Sequence, residues 1–347
     1  MAEAATQPRI LHVTTSPHIR YGETVPSVML SVSIALVPAL IASIVFFGMR
    51  ALVLTITCVA ACLLTEWLIT RFLLKKRETL TDFSALITAL LLAFNLPPDL
   101  PPWMAVIGSI VAIGVAKWAF GGLGHNFINP ALAGRAFLTA SYPAAMTTFS
   151  APKIGNINGL TAASPVDGVT GATPLVAIRD AVATGQFQAL DFQEALSSLF
   201  VGNVGGCIGE TSAAALLLGA LFLWYKRIIG FRIPFYYVAT VFVLSWLFNG
   251  TGGHFTSEAL IVPVYHILAG GLMLGALYMA TDMVTSPITP SGRVLFGVGC
   301  GVLTFVIRKF GGYPEGVSYS ILLMNLVVPH LNRYTRPKVY GKVQQRD

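Results

Sequence analysis

Charge is what this chain has least of. Only 11% of its 347 residues are Asp, Glu, Lys or Arg, whereas 55% are hydrophobic, and the mean hydropathy is +0.72. A chain so poor in charge cannot clothe a water-facing surface, which excludes an ordinary soluble globular protein and makes lipid its main solvent. Cysteine is also scarce. Cys58, Cys62, Cys207 and Cys300 are scattered without any cluster-binding spacing, and Cys58 and Cys62, on one helix face, are expected to be small packing residues. His125, His254, His266 and His330 show no metal-ligand pattern. The formal charge of +7 comes from basic residues at the ends of apolar runs, with no soluble basic domain, so nucleic-acid binding is excluded as a function. Residues 1–26 lack an apolar core, and no cleavable signal peptide is expected.

Long apolar runs dominate what is present. Read against the roughly 17 to 25 residues that a bilayer demands of a helix, they predict spans near Ser27–Gly48, Ala51–Leu74, Phe83–Leu96, Trp103–Phe120 and Pro130–Ala145. Five more follow near Thr211–Ile229, Ile233–Phe248, Leu260–Ala280, Val294–Ile307 and Val317–Leu331. The expected fold is an all-α integral membrane protein of about ten transmembrane helices. Basic residues are retained on the cytoplasmic side of short loops. Placing both termini inside gives the cytoplasm Arg9, Arg20, the cluster Arg71, Lys75, Lys76 and Arg77, then Lys226, Arg227, Arg232 and the basic tail. The expected division is a cytoplasmic segment 1–26, a first membrane repeat 27–146, an extracytoplasmic loop 147–210, a second membrane repeat 211–334 and a cytoplasmic tail 335–347.

The halves echo each other. Glu23-Thr24 precedes the first span as Glu210-Thr211 precedes the sixth, and Phe120-Gly121-Gly122 matches Phe310-Gly311-Gly312. Five spans per half reverse the orientation between copies, so two inverted five-helix repeats are expected, with a binding site near the midplane. Thr81-Asp82 and Thr281-Asp282 would fall on one side of the membrane and are not repeat evidence.

Broken helices mark where a ligand sits, because non-helical backbone at depth must be buried in protein or line a cavity. The third run stops at Pro97-Pro98. The stretch Gly121 to Pro130 offers free backbone groups and two carboxamides ahead of a helix with Pro at its first position. Asn126 and Asn129 can each donate and accept, as the edge of an isoalloxazine requires; the plainer role is to cap the helix starting at Pro130. Thr281 to Pro290 is another break, in which two prolines forbid a regular helix. Within it Asp282 could accept from a ring nitrogen, carry a proton or coordinate a cation, or merely cap a helix end.

The polar loop carries the heptapeptide Asp167-Gly168-Val169-Thr170-Gly171-Ala172-Thr173. Asp-Gly is an ordinary turn former, but a hydroxyl-rich loop of this length is accessible to a modifying enzyme. The heptapeptide resembles the site at which FMN is joined through its phosphate to threonine in respiratory flavoproteins of the Rnf and Nqr complexes. The run Gly124 to Leu138 resembles the corresponding stretch of the NqrB/RnfD family. Gly206 to Ser212, Ala280 to Pro287 and Tyr313-Pro314-Glu315-Gly316 agree in order, and Ser16-Pro17-His18-Ile19 favours the Rnf branch.

That resemblance implies an electron-carrying subunit of an ion-translocating NAD:ferredoxin oxidoreductase (Rnf) in a bacterial or archaeal cytoplasmic membrane. It implies a covalent FMN on Thr173, with Asp167 and Gly171 in its motif. A second, noncovalent flavin, riboflavin or a relative of it, is implied at Asn126, Asn129, Thr281 and Asp282. The implied partners are the flavin-, iron-sulfur- and NAD-binding subunits of the complex, an FAD-dependent FMN transferase and membrane lipid. The alternatives are the NqrB component of a Na⁺-translocating NADH:quinone reductase and a solute channel or transporter of inverted-repeat type.

Overall fold

The computed structural model describes residues 24–75, 80–149, 175, 178, 192–210, 212–248, 257–311 and 315–337, and among them there is helix and no strand. Helix α1 (Val25–Phe47) opens on a capping box in which Thr24 Oγ1 accepts from the Ser27 N–H and Ser27 Oγ accepts from the Thr24 N–H. Gly48, at φ 72°, joins it directly to α2 (Met49–Leu68), a left-handed joint that glycine adopts without strain. A π turn, Ile69–Leu73, prolongs α2. Then come α3 (Ser84–Phe94), α4 (Pro102–Ile110) with a π continuation Val111–Trp118, α5 (Pro130–Ser141) and the short α6 (Pro143–Met146).

The second half runs α7 (Phe192–Val201), α8 (Ala213–Tyr225), α9 (Arg232–Phe248), α10 (Ser257–Leu268), α11 (Leu272–Leu274) with a π continuation Gly275–Met279, α12 (Pro290–Phe310) and α13 (Val317–Tyr334). Helix lies in every apolar run that the sequence marks. Three stretches, Val25–Phe47, Met49–Leu73 and Pro290–Phe310, are long and apolar enough to cross a membrane, and a fourth if the bent pair Leu260–Leu268 and Leu272–Met279 is one span. Ser84–Phe94, Pro102–Trp118, Ala213–Tyr225 and Arg232–Phe248 are apolar but shorter.

The run expected as one helix, Leu260–Ala280, turns through 67°. Gly270 stands at φ 70° in the gap, and Arg308 binds the carbonyls of His266 and Ala269 that the break exposes.

Lipid shapes the rest. Ile34, Val37, Ile41 and Val45 on α1 are exposed, as are Leu295, Val302 and Val306 on α12. The outer faces are therefore as apolar as the interior, and the protein is membrane-embedded. Hydroxyls inside the helices bond back to the preceding turn, Ser31 to the Ser27 carbonyl and Thr55 to that of Ala51, both at 2.8 Å, which spares them the cost of standing bare in an apolar medium.

Small residues set the helix approaches. A Cβ on Gly219 of α8 would overlap the Ala35 carbonyl of α1, and one on Gly134 of α5 would stand 2.7 Å from the Gly108 carbonyl of α4. Helix α2 packs on α3 and α4, and α9 packs on α10 and α12.

Candidate functional site

The breaks meet. Asn126, Asn129, Thr281 and Asp282, the first pair more than 150 residues before the second, all line one open cleft. Val28, Met29 and Val32 of α1, with Ile87 and Leu91 of α3, give it an apolar wall. Tyr278 closes another side, its hydroxyl donating to the Leu216 carbonyl at 2.9 Å.

The two asparagines differ in what they do there. Asn129 is the N-cap of α5: its Oδ1 accepts from the N–H groups of Ala131 (3.1 Å) and Leu132 (3.4 Å), and its Nδ2 donates to the Met279 carbonyl at 3.4 Å. Asn126 donates from Nδ2 to the Ile128 carbonyl at 3.3 Å. Its Oδ1 is buried without a partner, and the residue is 5% exposed. An acceptor left bare in this way costs about 1–3 kcal/mol unless a bound group donates to it.

In the other break, Thr281 Oγ1 donates to the Leu277 carbonyl (2.7 Å), and the Asp282 carboxylate accepts from Val284 N–H (3.3 Å) and Thr285 Oγ1 (3.0 Å). Asn325 of α13, its amide oriented to suit its neighbours, donates to the Thr285 carbonyl at 3.3 Å and accepts from Asn129 N–H at 3.2 Å. Helix α13 thus ties the two breaks together.

Buried charge that the sequence reading leaves unassigned lies in two clusters, one at the cleft and one around Arg135. Lys117, in the π continuation of α4, donates from Nζ to both Glu66 oxygens (2.9 and 2.8 Å) and to Ser84 Oγ (2.8 Å). Further along α5, Arg135 donates to Asn95 Oδ1 (2.5 Å) and Glu210 Oε1 (3.2 Å), and pairs with Glu315. Cys207 Sγ lies 3.7 Å from Arg135 Nη2 and 3.8 Å from Glu315 Oε1. The ligand atoms of Cys207, Glu210 and Glu315 lie within 4.8 Å of one another, but the cation among them is the Arg135 guanidinium. The sequence carries a signal for two of these residues: Glu66 and Lys117 fall inside apolar runs, where an ionisable group is a functional candidate by default.

The polar segment after α7 is fastened to the core. Ile208 N–H donates to the Leu96 carbonyl (3.0 Å) and Gly209 N–H to that of Phe94 (2.9 Å), and a Cβ on Gly209 would strike Phe94. Thr173, Asp167 and Gly171 lie outside the described residues. Leu175, two positions on from Thr173, is buried with Ile178 against Val262, Tyr265 and Ala269.

The class that these features define is an all-helical, membrane-embedded protein with a cleft built where its helices break. The chain belongs to the NQR2, RnfD, RnfE family, whose sequence pattern matches residues 12–341. It is 46% identical over 342 residues to the D subunit of the proton-translocating ferredoxin:NAD(+) oxidoreductase complex of Clostridium ljungdahlii, covering 98% of this chain and 99% of the relative. To the D subunit of the Na(+)-translocating ferredoxin:NAD(+) oxidoreductase complex of Acetobacterium woodii it is 45% identical, over 95% of each. The D subunit of the ion-translocating oxidoreductase complex of Escherichia coli is 35% identical, with 96% and 99% covered.

Proposed function

We propose that this chain is the D subunit of an ion-translocating ferredoxin:NAD oxidoreductase complex and passes electrons between partner subunits through flavins. The observation that carries the reading is the alignment, nearly end to end, with relatives that bear that name. Two relatives of almost equal identity are named for different ions, so similarity to them does not choose the ion. Loss of ferredoxin-dependent NAD reduction from membranes of a strain lacking this chain, restored by the chain in trans, tests the assignment. Unchanged activity in that strain would refute it.

A noncovalent flavin, riboflavin or a close relative, would be held at this cleft. Its apolar walls suit the dimethylbenzene end of an isoalloxazine, and the bare Oδ1 of Asn126 suits an N–H of the pyrimidine end. Bound there, a flavin would supply one- and two-electron redox chemistry. Asn129 and Asn325 would hold the two breaks in register around it. Asp282, fixed by Val284 and Thr285, would orient the edge of the ring. A second flavin, FMN, would be joined by phosphoester to Thr173 by an FAD-dependent transferase, with Asp167 and Gly171 in the motif that the enzyme reads.

The membrane arrangement follows the basic residues: ten spans in a bacterial or archaeal cytoplasmic membrane, both termini cytoplasmic and the loop with Thr173 outside. A duplication, which five spans per half would make an inverted one, is supported by contacts that recur at one constant offset. Arg135 meets Asn95 as Asn325 meets Thr285, at the same separation that relates Phe120 to Phe310.

A further inference from the structure

Two charged side chains line the cleft among the described residues, Lys117 and Asp282. Asp282 is bound within its own turn. Lys117 is bound across helices: it is 2% exposed, it comes from a π-helical stretch, and its Nζ donates to Glu66 and to Ser84. π-helical turns often mark functional positions. Lys117 and Ser84 are part of the cleft wall, and Glu66 is not. A buried ion pair holds a fold together no better than well-packed apolar residues would. Its placement, with the cation at the wall and the anion behind, has an electrostatic consequence in a medium of low dielectric constant.

We propose that Lys117, backed by Glu66, is a positioning residue that sets the reduction potential of the noncovalent flavin. The proposal rests on the reading that a flavin occupies this cleft. Bound there, a flavin would take up one electron from the preceding carrier of the complex and gain one negative charge, with no bond broken and no proton required. Lys117, the positive member of the pair, is the one in the cleft wall, and its charge would stabilise the added negative charge. Glu66 keeps the ammonium in place and moderates its field, so the two residues act in opposite directions on the same equilibrium.

The test is spectroelectrochemical titration of the full chain, purified in detergent from a Thr173→Ala background so that extractable flavin alone is read. Lys117→Met should shift the reduction equilibrium at least tenfold towards the oxidised flavin, about 59 mV for a one-electron step. Glu66→Gln should shift it the other way, and Lys117→Arg should leave it near the wild-type value. The double variant Glu66→Gln/Lys117→Met contains no unpaired buried charge, so it accumulates even where a single variant does not. Its potential should lie below wild type. A double variant that titrates like wild type, or single variants that shift in the same direction, would overturn the proposal. Absence of extractable flavin from the wild-type chain would instead sink the occupancy of the cleft, and the proposal with it.

Discussion

Arg308 on α12 donates from Nη1 to the carbonyl oxygen of His266 on α10, across 2.5 Å. The same guanidinium reaches the carbonyls of Ala269 from Nη2 (3.3 Å) and Glu315 from Nε (3.2 Å). One side chain therefore answers three backbone acceptors: two where α10 ends and one ahead of α13. Arg308→Met should strand all three, and at about 1–3 kcal/mol for each buried acceptor a large fall in thermal stability in detergent is expected. Arg308→Lys should recover only part of it, since an ammonium cannot span the fork. A melting temperature unchanged in Arg308→Met would show that water or lipid serves these carbonyls equally well.

Thr173→Ala is expected to abolish covalent flavin fluorescence in denaturing gels while the protein remains in the membrane. Thr170→Ala should leave the fluorescence intact. The reverse result would move the attachment to Thr170.

Asn126 and Asn129 should separate experimentally, because one amide is spent on the fold and the other is half free. Asn126→Leu is expected to lower retention of acid-extractable flavin by roughly tenfold to a hundredfold, the equivalent of about 1–3 kcal/mol, at near-normal melting temperature. Asn129→Ala removes a helix cap, which typically costs about 1 kcal/mol, and should lower the melting temperature as well as flavin content. Equal losses of stability in both would make Asn126 a purely structural residue.

Arg135→Met leaves Glu210 and Glu315 buried without their cation. Breaking such a pair costs about 3–5 kcal/mol, so the variant should accumulate poorly. Adding Glu210→Gln and Glu315→Gln should restore much of the yield, measured by immunoblot of membranes. If the triple variant accumulates no better than Arg135→Met, the packing of the guanidinium is what matters, and not its charge.

A reporter fused after Ala163 should be active outside the cytoplasm. Activity of a cytoplasmic reporter at that position would invert the topology inferred from Arg71, Lys226 and their neighbours.

Hydropathy locates the helices of the apolar runs to within a few residues because an apolar run is a local property, but it passes over α7, which lies in the stretch read as a polar loop. Prolines help to place the breaks, since Pro97 follows α3 and Pro290 opens α12, although Pro38, Pro263 and Pro329 lie inside helices. Asn126, Asn129, Thr281 and Asp282 can be picked out as residues of breaks, and the structure draws them to one cleft. What local pattern does not carry is the division of labour between the two asparagines, which depends on Met279 and Asn325 from distant helices. The bend after Leu268 is hidden for the same reason, since its carbonyls are satisfied by Arg308, some forty residues on. Lys117 reads in the sequence as a charge near the end of an apolar run; only the approach of Glu66 and Ser84 from other helices shows that it is enclosed.

Leu175 has a consequence for the bend between α10 and α11. Its side chain is buried against α10, and a Cβ on Gly270 would stand 2.7 Å from its Cδ1. A side chain at position 270 would therefore be felt twice, in the backbone of the bend and in the seat of Leu175, so that one glycine couples the two.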